Sequence, residues 1–334
     1  RPSIASTTSM TTALSSPQVY RVAIANTGSQ VVGWDGQTDP NIRFWPGVFN
    51  TQNGAVNDLS VVGTHKPGGQ SQAARWAMVF EFITTSDIVE ISGYSVAGNP
   101  FTLEVNGRLV TEGSTHTPRS SAGGFTTTIT FPTPPSPRAR TIRVLAMGEF
   151  GLREVRVPTG QTITKTPAPL QRLAVIGDSW VNGASGTGMF NTWSTRFLRL
   201  LGGSRAEMIL AGIGGSGWKT GTSAYSERLG AVLGMNPDVL VVYGSQNDGD
   251  VNIQPEVTAA LSAASAVTRV ILVPTMWGYS VQTASMLAAA DAAEREFIDL
   301  RGFIYGSGSS ATPNGSGNRD YFMVANNDLH LTPG

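Results

Sequence analysis

The chain changes its hydrophobic period once, after Gln171, and that change demands two kinds of architecture in one polypeptide. Beyond it, LAVIG (173–177), EMILAG (207–212), DVLVVYG (238–244) and RVILVPT (269–275) are short apolar runs of the kind that make fully buried strands. Between them the apolar residues recur at helical spacing. Phe190, Trp193, Phe197, Leu200 and Leu201 mark one helix, ended by Gly202–Gly203. Further helices are predicted over 224–235, 253–267 and 282–300, with a weak fifth strand at 303–305. Strands alternating with helices over short connections give an α/β fold with a parallel sheet covered on both faces.

Residues 18–160 follow different rules. Strands are predicted at 19–25, 76–82, 88–94, 101–104, 107–111, 125–131, 141–146 and 152–157, each short, rich in β-branched and aromatic residues, and bounded by Gly, Pro, Asn or Ser. Asn106–Gly107 is a hairpin signal, because a type I′ turn needs positive φ at both central positions. This half reads as a β-sandwich, jelly-roll-like domain. Residues 1–17 form a Ser/Thr-rich segment without a basic region leading into an apolar core, so they are not read as an intact signal peptide. A start at Arg1 reads as a processed or trimmed chain. Residues 161–170, with two prolines, read as a linker to the domain at 171–334.

Composition removes several classes of function. The chain has no cysteine, which excludes disulfides, thiolate chemistry and cysteine-ligated zinc. Its 23 basic and 23 acidic residues balance without a block of either sign, so no nucleic-acid or anionic-membrane partner is expected. No apolar run reaches the roughly 18 residues of a membrane span. No metal or cofactor is called for, and nothing in the sequence bears on oligomeric state.

In a parallel sheet the ligand crevice lies beyond the carboxyl ends of the strands, so the residues there carry the chemistry. The first strand ends in Gly177-Asp178-Ser179-Trp180, which sets a serine on a tight strand-to-helix turn. The second ends in Ala211-Gly212-Ile213-Gly214-Gly215-Ser216-Gly217, where glycines let backbone N–H groups approach a ligand. The third ends in Gly244-Ser245-Gln246-Asn247-Asp248, and an Asn amide can donate to a developing oxyanion. Read singly, these are equally an N-capping serine, a flexible loop and an Asx turn. The chain then closes on Asn326-Asn327-Asp328-Leu329-His330. Of three histidines, His65 and His116 fall in polar loop-like stretches of the β half and are read as surface residues. His330 alone lies in the α/β half, with a pKa range suited to a base.

Four such blocks in this order resemble the SGNH (GDSL) hydrolase family over residues 171–334. The resemblance implies a flavodoxin-like three-layer α/β/α domain and serine esterase chemistry. Ser179 would be the nucleophile and His330 the general base. The oxyanion hole would be the backbone N–H groups of Ser179 and Gly215 with the side chain of Asn247. Two positions depart from the pattern. Ser245 stands where the family has glycine two before the Asn. Asn327 stands where the family has aspartate three before the His, leaving Asp328 two before it. Either Asp328 orients His330, or Asn327 or a backbone carbonyl does. Trp180, Trp218 and Trp277 each follow a predicted strand end, as sugar platforms or as pocket wall. The β domain resembles the jelly-roll modules of polysaccharide acetyl-esterases. The expected activity is therefore O-deacetylation of a glycan, with an acylated glycan or small ester as partner and an extracellular or virion-associated location. The alternatives are a lipolytic esterase or thioesterase on small acyl chains, and a phage-tail or surface component with a degenerate hydrolase domain.

Overall fold

The computed structural model describes residues 2–22, 30–32, 39–45, 47–53, 59–63, 78–95, 101–110, 116–118, 120–121, 123–132, 138–146, 150–182, 206–220 and 224–302. The chain forms two compact units that meet in sequence between Pro169 and Leu170.

The first unit is antiparallel. Its strands are β1 (Ser3–Thr7), β2 (Gln18–Arg21), β3 (Gln30–Val32), β4 (Arg43–Phe44), β5 (Gly47–Asn53), β6 (Leu59–Gly63), β7 (Met78–Thr84), β8 (Ile88–Ser95), β9 (Phe101–Val105), β10 (Arg108–Leu109), β11 (Gly123–Thr130), β12 (Arg140–Ala146), β13 (Phe150–Val157) and β14 (Ile163–Thr164). Among the described residues one sheet runs β1-β11-β8-β13-β6-β5-β3, with β2 also on β13; the other runs β10-β9-β12-β7-β14, with β4 also on β7. Alternate residues of both sheets point inward to one core: Phe80 and Phe82, Val89 and Ile91, Phe101 and Leu103, Ile142 and Val144. The hairpin at Asn106–Gly107 forms as expected, with φ of 52° and 74°.

Other elements here differ from the sequence expectation. The Ser/Thr-rich segment contributes β1, which pairs with β11 from Ser3↔Thr130 to Thr7↔Thr126. Its alternating polar residues line a sheet edge, so no apolar signal marks it. The expected linker starts inside the sheet, since Ile163 and Thr164 pair with β7. His116 is half-buried and bridges Phe101, its ring 5.2 Å from that phenyl ring and its Nε2 2.6 Å from Ser6 Oγ. It is a packing residue of this unit rather than a surface one, and burial lowers its pKa.

The second unit holds a parallel sheet of β15 (Gln171–Gly177), β16 (Ala206–Gly212), β17 (Val239–Tyr243), β18 (Arg269–Val273) and β19 (Glu296–Phe297), in the order β16-β15-β17-β18-β19. Counted along the chain this is the 2-1-3-4-5 order of flavodoxin-like sheets. Among the described residues the helices are α1 (Ser179–Asn182), α2 (Tyr225–Leu233), α3 (Gln254–Ala263) and α4 (Ser280–Ala292). The path leaves β15 toward β16 and afterwards runs the other way. Right-handed crossovers therefore put α2, α3 and α4 on the face opposite α1; in keeping with this, α2 packs on α3 and α3 on α4.

The fourth predicted helix is corrected. It stops at Ala292, not 300, and a short strand that was not expected, Glu296–Phe297, follows it and pairs with β18. Glu294 takes φ of 52°, its N–H bonds to Asp291 O, and Arg295 N–H reaches back to Ala290 O at 2.9 Å. That is a Schellman stop with glutamate where glycine is usual. Positions 303–305, and the helix marked by Phe190 to Leu201, lie outside the described residues.

Candidate active site

The site begins with the way β15 ends. Leu173 to Ile176 are buried, and Gly177 closes the strand because a β-carbon there would collide with Val181 of α1. Asp178 follows, fully buried. Its Oδ1 accepts the N–H of Trp180 at 2.9 Å and its carbonyl accepts that of Val181 at 3.2 Å, so it caps the first turn of α1. Ser179 is thereby fixed at the carboxyl edge of β15. The strand order reverses between β15 and β17, and Ser179 stands at that switch point. Its hydroxyl makes no hydrogen bond with a described residue.

The glycine block folds back against this turn. Ile213 N–H donates to Gly177 O at 3.0 Å, and a β-carbon on Gly214 would touch Ser179 Cβ at 3.8 Å. Gly215 takes φ of +75° beside open space. Ser216 is the hub. Its hydroxyl donates to Ile213 O at 2.7 Å, and its carbonyl accepts from Ser245 Oγ at 3.0 Å and from Asn247 Nδ2 at 2.8 Å. Asn247 also approaches Asp178 Oδ2 at 3.5 Å, and Gln246 N–H donates to that oxygen at 3.2 Å. The serine that departs from the family pattern thus has work: the Ser245 hydroxyl ties the third strand end to the second and accepts Asn247 N–H at 3.0 Å.

Two acids and an arginine that the sequence reading gave no firm role stiffen this arrangement. Asp248 accepts the backbone N–H groups of Trp218, Lys219 and Thr220 at 2.6, 3.0 and 2.8 Å, closing the glycine block like a clasp. A β-carbon on Gly217 would meet its carboxylate at 2.5 Å. Arg228, fully buried on α2, donates to Gly177 O at 2.7 Å and to Ser216 Oγ at 2.9 Å, with its guanidinium over the Tyr225 ring. Burial pulls the Arg228 pKa down to about 10. Burial pushes the Asp178 carboxyl up to about 7, against the pull of the Trp180 and Gln246 N–H groups and the Arg228 charge. Asp248 was visible in its block, next to Asn247. Arg228 carries no sequence signal, because its targets lie 51 and 12 residues away.

Ser179, Gly215 and Asn247 are therefore brought to one edge of the sheet. His330, Asp328 and Asn327 lie outside the described residues, as does His65. Trp180 and Trp218 are buried: the Trp180 indole stacks on Tyr243 at 6.0 Å, and Trp218 packs on Tyr225 at 5.0 Å. Neither presents an open ring face, which corrects their expected part as platforms. Trp277 is half-buried. Among the described residues no cluster of three His, Asp or Glu side chains could hold a metal ion.

No protein-family model and no curated protein matches this sequence. Solved structures do. A salicylyl-acyltransferase from a tetracycline biosynthetic pathway superimposes with a TM-score of 0.60 at 12% identity, over 92% of each chain. A family two carbohydrate esterase from Clostridium thermocellum, solved with cellohexaose, gives 0.50 at 15% identity over 68% of this chain and 83% of its own. A family two carbohydrate esterase from Cellvibrio japonicus gives 0.52 at 11% identity over 81% and 88%. The chain shares the fold of these structures.

Proposed function

We propose that this chain is a serine esterase working through an acyl-enzyme on Ser179. The observation that carries the reading is the hydrogen-bonded frame of Asp178, Ser216, Ser245 and Asn247, which gathers the nucleophile turn, the glycine block and the Asn at the switch point. Ser179 Oγ attacks the ester carbonyl while His330 takes its proton, and Asp328 orients the imidazole. The oxyanion is received by the N–H groups of Ser179 and Gly215 and by Asn247. Asn247 Nδ2 has two hydrogens. One is spent on Ser216; the other makes only a long approach to Asp178 at 3.5 Å and is the donor left for the oxyanion. The proton on His330 then passes to the leaving alcohol. Water, deprotonated by His330, attacks the acyl-enzyme and releases the acid. No step calls on a metal or cofactor.

For substrate we propose an O-acetylated glycan, with Trp277 as part of the pocket wall and an extracellular or virion-associated setting. Support comes from carbohydrate esterases among the similar folds. We further propose that the antiparallel unit, which takes in β1 and β14 as well as residues 18–160, is a jelly-roll-like module; that two sheets share its one core supports this. Hydrolysis of p-nitrophenyl acetate tests the reading: Ser179→Ala must abolish it, and wild-type turnover in that variant would refute the mechanism. A rate that peaks at acyl chains of C8 or longer would favour the lipolytic alternative over deacetylation.

A further inference from the structure

Gln246 lies between Ser245 and the oxyanion Asn247, and five hydrogen bonds fix it, one of them from Gly249 N–H to its carbonyl at 3.3 Å. Its Oε1 accepts the indole N–H of Trp180 and that of Trp277, each at 2.7 Å. Its backbone N–H donates to Asp178 at 3.2 Å, and its carbonyl accepts from Tyr279 Oη at 3.4 Å. An indole nitrogen only donates, so two of them on one atom leave no choice about which end of the amide is oxygen. The Nε2 end is turned away from both rings. It makes no hydrogen bond with a described residue, and it is not among the buried atoms that lack a partner. One of the two tryptophans directly follows Ser179, so this presented amide belongs to the immediate setting of the nucleophile.

From this geometry we infer that Gln246 is a specificity-determining residue that reads the alcohol side of the ester; the inference rests on the esterase assignment of Ser179. Two uncharged N–H donors held rigidly suit neutral oxygen acceptors: the hydroxyl and ether oxygens of a sugar or polyol. An alkyl group in the same place would strip water from the amide and return no acceptor, and sites built to hydrogen-bond a hydroxyl discriminate strongly against analogues that lack it. The substrate class is thus an ester of a hydroxyl-rich alcohol.

The test compares kcat/KM on a mono-O-acetylated methyl xyloside and on cyclohexyl acetate, which has a ring of similar size without hydroxyls. The wild type should favour the sugar ester by about tenfold or more. Gln246→Glu keeps an oxygen for both indoles and removes the donors. It should shrink that preference to within about threefold, chiefly by raising KM for the sugar ester. Equal losses on both esters would overturn the inference and leave only a structural clamp. A wild type without the preference would overturn it too, with no variant needed. Failure of the wild type on both esters and on p-nitrophenyl acetate would instead strike the esterase reading, and this inference with it.

Discussion

Asn247 donates its side-chain amide to the backbone carbonyl of Ser216 at 2.8 Å, joining the end of the third parallel strand to the loop after the second. The bond holds the amide nitrogen beside Asp178, one residue before Ser179. Asn247→Ala should lower kcat by about 10² to 10³, the usual cost of one oxyanion donor, with little change in KM. Steady-state kinetics on p-nitrophenyl acetate measure this, and a loss below about fivefold would remove Asn247 from the oxyanion hole.

Asp248 holds three consecutive backbone N–H groups of the glycine block. Asp248→Ala leaves those donors to water and frees the loop that carries Gly215. The expected loss is about 2 kcal/mol of stability, since hydrogen bonds to a charged group are worth more than neutral ones but this carboxylate is half-exposed. Urea unfolding monitored by tryptophan fluorescence should show a lower midpoint, and Asp248→Asn should recover part of it.

Asp178 gives a pH signature. Its carboxyl ionises near 3.8 when exposed but holds its proton up to about 7 in the fold, because burial disfavours the charge. Between those values the native state binds more protons than the unfolded chain. The contribution of Asp178 to stability therefore falls as pH rises through that window and is flat above it. Asp178→Asn cannot ionise. The stability of the variant minus that of the wild type should rise from about pH 4 to about pH 7 and then level. Unfolding curves at a series of pH values check this, and a difference independent of pH would contradict it.

Four of the described parallel strands, β15 to β18, were legible because each is a continuous apolar run, and Ser179, Gly215 and Asn247 because each follows one; the two-residue β19 carries no such run. The order of the strands was not written in any run; the resemblance alone supplied it. The end of α4 escaped notice because Glu294, not glycine, takes the left-handed position. β1 escaped because a polar edge strand has no apolar face. Trp180 and Trp218 show the limit of reading aromatics by position: following a strand end does not say whether a ring faces solvent or packs inward on Tyr243 or Tyr225. Asp248 and Arg228 act on groups distant in sequence, as Asp178 does on Gln246 beyond its own turn, so those roles exist only once the chain has folded.

The central claim is that Ser179 is an activated nucleophile, and covalent labelling tests it most directly. Treated with a fluorophosphonate and analysed by intact mass and peptide mapping, the wild type should gain one adduct, on Ser179. Ser179→Ala should gain none, and His330→Ala should label at least about a hundredfold more slowly. An unmodified wild type, or an adduct that persists in Ser179→Ala, would contradict the account.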